Sequence, residues 1–75
     1  MRKVVLTDEN EDESKTCYIS ETETPRKILE HFNISPDTKI VYVNGVIISN
    51  EKMKEPIRAR APIFMSIHNK TVMRT

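Results

Sequence analysis

The dipeptide Asn44-Gly45 constrains the fold more than any other feature of the chain, because it stands between two runs of aliphatic and β-branched residues. A two-residue type I′ turn requires a positive φ at both central positions, and Asn followed by Gly meets that requirement with little strain. Gly45 is the only glycine among the 75 residues, which fits a position that needs glycine. The sequence therefore predicts a tight β-hairpin over residues 39–49.

A two-residue turn also fixes the register of this hairpin. Side chains alternate along a strand, so each of its two faces carries its own set of residues. One face has Val41, Val43, Val46 and Ile48, and the other has Ile40, Tyr42 and Ile47. Both sets are apolar. We expect one face to join the core and the other to form a contact surface, and the pattern leaves open which is which.

A second hairpin is predicted at the N-terminus. Residues 1–7 are rich in valine and leucine, as a first strand would be. Residues 14–20 alternate like a half-buried strand, with Cys17 and Ile19 on one side and Tyr18 on the other. The six residues between the two runs are all polar and five are acidic, so they are expected to form a solvated loop.

One short helix is predicted between the hairpins. Thr24 can cap the first turn, and Pro25 suits the first helical position, where its missing N–H has no partner to lose. Asn33 can end the helix in a left-handed conformation. The apolar stripe that would pack on the sheet consists of Ile28, Leu29 and Phe32.

The C-terminal third is predicted to contain one more strand. Residues 50–61 read as irregular, apart from a single helical turn at about residues 52–55. Residues 63–68 alternate, with Phe64, Ser66 and His68 facing away from the apolar side. Residues 69–75 are expected to be a flexible tail. Residues 1–75 together are long enough for one domain with one core.

The predicted order is ββαββ(turn)β, an α+β class in which a mixed sheet packs on one short helix. From Thr24 through the helix to Val43-Asn44-Gly45, this order resembles the β-grasp, or ubiquitin-like, fold. It is most similar to the small bacterial sulfur-carrier branch, in which a helix leads to a Val-Asn-Gly hairpin. Members of that branch act through a C-terminal Gly-Gly. This sequence ends Val72-Met73-Arg74-Thr75, so the resemblance implies the fold without the carrier chemistry.

No motif for catalysis, a cofactor or a metal is expected. Cys17 is the only cysteine, which excludes an internal disulfide and indicates a reducing, cytoplasmic setting. It has no histidine near it in sequence, and it is interpreted as a small core residue. His31 and His68 lack the paired spacing of a zinc site. No apolar run is long enough to span a membrane.

Charge is distributed unevenly, although the net charge is only +1. Residues 1–24 hold three cations against seven acids, and residues 51–75 hold six cations against two acids. Arg58 and Arg60 alternate, so both could face phosphates or carboxylates from one side of an extended segment. With a pI of about 7.9 and only four aromatic residues, nucleic-acid binding is kept as an alternative and is not favoured.

The sequence therefore predicts a non-enzymatic protein-interaction module that uses the exposed face of its sheet. The partner is expected to be a protein with an acidic rim, and the chain itself to be a monomer or weak homodimer. A degenerate sulfur carrier or ubiquitin-like modifier is the other alternative. The residues expected to contact the partner are Ile40, Tyr42, Ile47, Phe64, His68, Arg58 and Arg60.

Overall fold

The computed structural model describes residues 1–70 and contains five strands and one α-helix. Two 3₁₀ turns lie at Pro36–Thr38 and Lys52–Lys54, the second where a single helical turn was predicted. The strands and helix follow the predicted order. They are β1 (Arg2–Asp8), β2 (Lys15–Ile19), α1 (Pro25–His31), β3 (Lys39–Val43), β4 (Val46–Ile48) and β5 (Ile63–Asn69).

The five strands form one mixed sheet in the order β2-β1-β5-β3-β4. Strands β1 and β5 are parallel neighbours at the centre of the sheet, and every other neighbouring pair is antiparallel. Strands β2 and β4 are therefore the two edges. The α+β class with a mixed sheet on one short helix is confirmed.

The hairpin of β3 and β4 forms as predicted. Asn44 has a φ of 50° and Gly45 a φ of 83°, so both turn residues occupy the left-handed region. The register is the predicted one, with Val43 opposite Val46, Tyr42 opposite Ile47 and Val41 opposite Ile48. The Asn-Gly turn thus sets both the position and the pairing of these strands.

Both ends of α1 are closed by local hydrogen bonds. The Thr24 hydroxyl accepts a bond from a first-turn amide at 3.3 Å, and Pro25 occupies the first turn. At the other end Asn33 has a φ of 60°. The amide of Ile34 then donates to the carbonyl of Leu29 at 2.9 Å, as in a Schellman motif. A helix of seven residues is too short to be stable alone, so these caps and its packing hold it.

The core lies between α1 and one face of the sheet. The helix contributes Ile28 and Leu29, while Phe32 is half-buried at the margin. The face of the β3–β4 hairpin that carries Val41 and Val43 packs toward the helix. Alternation alone had left open which of the two hairpin faces joins the core. The remaining buried apolar residues are Val4, Leu6, Ile19, Met53, Ile57, Ile63, Met65 and Ile67.

Strand β5 runs further than the sequence indicated. Asn69, predicted to begin a flexible tail, is paired with Lys39 at the end of β3. The amide of Lys70 donates to the carbonyl of Thr38 at 3.2 Å. The predicted tail is therefore shortened by these two residues, because Asn69 extends β5 and the backbone bond of Lys70 reaches Thr38, the residue just before β3. Residues 71–75 of the predicted tail lie outside the described residues.

Arg2 fixes the irregular segment before β5. Its guanidinium donates to the carbonyls of Ile57 at 2.7 Å and Ala59 at 2.8 Å, and to the carbonyl of Ser20 at 2.8 Å. The amide of Ile57 also donates to the carbonyl of Glu23 at 3.1 Å. These bonds tie residues 57–59 to the start of β1 and to the loop before α1, so this segment is held although it has no regular structure.

Candidate protein-interaction surface

The side of the sheet away from α1, here called the open face, is not covered by any element of residues 1–70. Alternation assigns side chains to it, since Val4 and Leu6 of β1 and Ile63, Met65 and Ile67 of β5 point to the core. The open face therefore carries Lys3, Val5, Thr7, Thr16, Tyr18, Ile40, Tyr42, Ile47, Phe64, Ser66 and His68.

Three large apolar side chains stand out on the open face. Tyr18, Ile47 and Phe64 are 61%, 60% and 55% exposed. They come from β2, β4 and β5, and the register places Val5 beside Phe64 in the gap between β2 and β5. Each of the five strands therefore places an apolar or aromatic side chain on the open face, namely Tyr18 on β2, Val5 on β1, Phe64 on β5, Tyr42 on β3 and Ile47 on β4. Scattered apolar residues are ordinary on a protein surface, whereas a contiguous patch indicates a contact site.

Tyr42 and His68 lie in the middle of the open face, and their side chains contact each other. Their rings meet edge to face with centroids 5.4 Å apart. Nδ1 of His68 lies 3.2 Å from Oε2 of Glu9, which also accepts the amide of Asn69 at 3.3 Å. Glu9 thus orients the imidazole toward the tyrosine.

The structure brings five of the seven predicted contact residues together on the open face: Ile40, Tyr42, Ile47, Phe64 and His68. It separates Arg58 from them. Arg58 lines a groove on the other side of the sheet, between β4 and the start of α1. Arg60 borders a shallow depression with Arg2 and Glu21, near the start of β1. The cation that shares the open face with the five is Lys3.

Tyr18 and Val5 are members of the open face that were not among the predicted contact residues. Tyr18 could have been found, because its alternation against the buried Ile19 already placed it on the outer side of β2. Alternation could not assign Val5 to a face of the sheet, since this residue lies in an unbroken apolar run. Only the pairing of β1 with β5 shows that Val5 extends the patch around Phe64.

Cys17 lies half-buried against the core. Burial, followed by the nearby carboxylate of Glu23, raises the pKa of its thiol above the ordinary value. A raised pKa keeps the thiol protonated at neutral pH, the opposite of what activates a nucleophilic cysteine. Within residues 1–70 no three His, Cys, Asp or Glu side chains are grouped to hold a metal ion. None of the helices described there is long and apolar enough to cross a membrane.

A solved structure shares this arrangement of strands and helix. It is that of a ubiquitin-like protein from the hyperthermophilic archaea Caldiarchaeum subterraneum, with a TM-score of 0.57 over 95% of this chain and 99% of that chain. The two sequences are 13% identical, so the likeness is one of fold alone. It confirms the β-grasp fold of the ubiquitin-like kind. No protein-family model and no curated protein matches the sequence.

Proposed function

We propose that this chain is a non-enzymatic binding module that captures a protein partner on the open face of its sheet. The observation that carries the proposal is the presence on the open face of three large apolar side chains, Tyr18, Phe64 and Ile47, each more than half exposed. Burial of such side chains is favourable by roughly 25 cal/mol per Å² of apolar surface. A partner that covers them gains this energy without any rearrangement of the sheet.

The open face combines apolar side chains with polar ones such as Thr7, Thr16 and Ser66, and a mixed composition of this kind is typical of a transient interface. Aromatic residues are frequent among the side chains that dominate binding energy, and two of the three exposed ones are aromatic. Lys3, next to Tyr18 in the β1–β2 register, supplies a cation at one margin. The partner proposed here is therefore a protein with a flat apolar surface and a carboxylate placed to reach Lys3. The setting proposed for it is the cytoplasm.

Strand β4 offers a matched pair of variants that tests the proposal. Ile47 points to the open face, and its neighbour Val46 points to the other side with almost the same exposure. Ile47→Glu and Val46→Glu make the same change in charge on the same strand. In affinity capture from the source cells followed by mass spectrometry, we expect Ile47→Glu to lose the specific partner and Val46→Glu to retain it.

The captured protein is then titrated into isotope-labelled chain, and the amide shifts are mapped by NMR. Shifts at Val5, Tyr42, Phe64 and their neighbours are expected. Equal loss of the partner in both variants, or shifts confined to the helix side, would mean that the open face is not the binding surface. Circular dichroism of each variant is the control, and it should show the same fold as the wild type.

The two alternative functions make different predictions in the same cells. A sulfur carrier or ubiquitin-like modifier would appear as a thiocarboxylate or as an isopeptide-linked form of the chain, both of which intact-mass and peptide mass spectrometry detect. A nucleic-acid-binding protein would show affinity for DNA or RNA that falls steeply with salt. If either result is obtained, and Ile47→Glu does not alter it, that alternative function would replace the binding module proposed above.

A further inference from the structure

Strand β4 is one edge of the sheet and carries no charged side chain. Natural edge strands are kept very short, or carry charges, prolines or bulges, and each of these discourages another strand from joining them. Val46–Ile48 is short but has no charge and no proline, and Val46 and Ile47 are 63% and 60% exposed on opposite faces. The other edge, β2, begins with Lys15. The edge at β4 can therefore accept a short additional strand without bringing a charged side chain of its own into the pairing.

The hairpin register shows which backbone groups of β4 are available. In an antiparallel pair, residues alternate between those that exchange hydrogen bonds and those that do not. In a two-residue hairpin Val46 and Ile48 are the bonded positions, so the N–H and C=O of Ile47 point outward from the sheet. Among residues 1–70 these two groups have no backbone partner outside the sheet. They can direct an incoming strand and set its register.

A groove of about 490 Å³ runs beside this edge on the helix side. Its floor and walls are mostly apolar, with Val46 and Ile48 from β4, Pro25 from α1 and Ile57 from the irregular segment. Because Arg2 and the bond from Ile57 to Glu23 hold that segment, the far wall of the groove is fixed. Preorganisation of this kind reduces the entropy lost on binding.

Two cations flank the groove. Arg58 is exposed and makes no ion pair within residues 1–70, while Lys52 has only a long contact of 3.9 Å with Glu55. An exposed pair at that distance contributes little. Glu55 lines the groove as well, so its rim holds two cations against one carboxylate, and Arg58 is the cation available to a carboxylate of a partner.

We propose that β4 and this groove bind an extended acidic segment of a partner protein, which joins the sheet as a sixth strand. Its alternate side chains are apolar and enter the groove over Val46 and Ile48, and its Asp or Glu residues reach Arg58 and Lys52. Since β4 has only three residues, the backbone bonds fix direction and register. The apolar contacts in the groove then supply most of the affinity.

A second copy of the chain fits this edge less well. Two copies joined through β4 about a two-fold axis would present the same surface to each other. The rim of each copy, with Arg58 and Lys52 against the single Glu55, is net positive, and two net positive rims brought together oppose association. The charges around the groove therefore favour an acidic partner segment over self-pairing.

The test is a selection of random twelve-residue peptides displayed on phage, with the folded chain immobilised. Enriched peptides are expected to alternate apolar residues with others and to carry Asp or Glu. Synthetic versions are then titrated against the wild type, Val46→Glu, Ile47→Glu and Arg58→Ala. We expect Val46→Glu to weaken binding at least about tenfold, or 1.4 kcal/mol, because it places a carboxylate in the groove.

Ile47→Glu is the control, since it adds the same charge on the face away from the groove and should change the affinity far less. Arg58→Ala should remove the preference for acidic over neutral peptides. A proline placed in the peptide at the residue whose N–H pairs with the Ile47 carbonyl should weaken binding, because it removes one of the two backbone bonds that set the register. The proposal is overturned by an absence of enrichment, by basic consensus peptides, by equal effects of the two Glu variants, or by dimerisation through β4 in sedimentation. Each outcome is separate from the open-face proposal, which predicts the opposite order of effects for Val46→Glu and Ile47→Glu.

Discussion

Asn44 and Phe64 exchange two hydrogen bonds that join the β3–β4 turn to the central strand. The amide of Asn44 donates to the carbonyl of Phe64 at 2.7 Å, and the amide of Phe64 donates to Oδ1 of Asn44 at 2.9 Å. The side chain of Asn44 thus takes the place of a backbone carbonyl, and the ladder between β3 and β5 continues one residue past Val43. One residue therefore both forms the turn and anchors it.

Substitution of Asn44 should separate these two roles. Asn44→Ala loses the acceptor, a loss of about 1 kcal/mol, and puts at a positive φ a residue that tolerates the left-handed region less well than asparagine, which adds up to about 1–2 kcal/mol. Asn44→Gly tolerates the positive φ and should lose only the first contribution. Asn44→Asp keeps an oxygen at Oδ1 and should be the mildest. Guanidinium unfolding at neutral pH measures all three, and equal losses for Ala and Asp would show that the bond from Phe64 is unimportant.

Arg2 should contribute more to stability than its position near the N-terminus suggests. It donates to three carbonyls from two separate segments, and hydrogen bonds from a charged donor contribute about 1.5–3 kcal/mol when well made. Because Arg2 is only partly buried, we expect Arg2→Ala to lower the free energy of unfolding by about 1–3 kcal/mol. Arg2→Lys retains the charge but lacks the planar guanidinium with its several N–H donors. It should therefore recover only part of the lost free energy of unfolding. Full recovery by Lys would indicate that charge alone matters.

The two faces of the sheet should respond very differently to truncation. Leu29→Ala removes a fully buried side chain between α1 and the sheet and should cost about 2–5 kcal/mol. Ile47→Ala, on the open face, should change stability by no more than about 0.5 kcal/mol. Thermal and chemical unfolding of the two variants provide the comparison. A large loss for Ile47→Ala would mean that the open face is structural.

Cys17 should make stability fall at alkaline pH. Burial, with the Glu23 carboxylate, raises the pKa of its thiol in the folded state. Its contribution is therefore fully present below the ordinary thiol pKa and is lost as the pH rises through the folded-state pKa. We expect the free energy of unfolding to decline more steeply over this alkaline range in the wild type than in Cys17→Ala. Parallel curves for the two proteins would contradict this expectation.

The architecture could be predicted where local chemistry decides it. Asn44-Gly45 determined a hairpin and its register, and Thr24, Pro25 and Asn33 determined both ends of α1, because each effect acts within a few residues. The side of the hairpin that joins the core could not be predicted, since Val43 and Tyr42 lie on faces of equal apolar character. That choice depends on where the helix packs.

Contacts between distant segments limited the prediction of the candidate sites. The bond from Arg2 to Ile57 joins residues 55 positions apart, and nothing near either residue indicates it. Arg58 was assigned to the same surface as Tyr42, but the path of the irregular segment carries it to the groove on the opposite side. Five open-face residues were identified because alternation within three strands, β3, β4 and β5, was enough to group them.

The place of β5 between β1 and β3 has a consequence for how the chain is made. The N-terminal and central hairpins are joined in the sheet only through this strand, which also brings Ile63, Met65 and Ile67 into the core. A ribosome releases these residues after all the other strands. The sheet therefore cannot be completed until β5 has left the ribosome, and the two hairpins lack the strand that joins them until then.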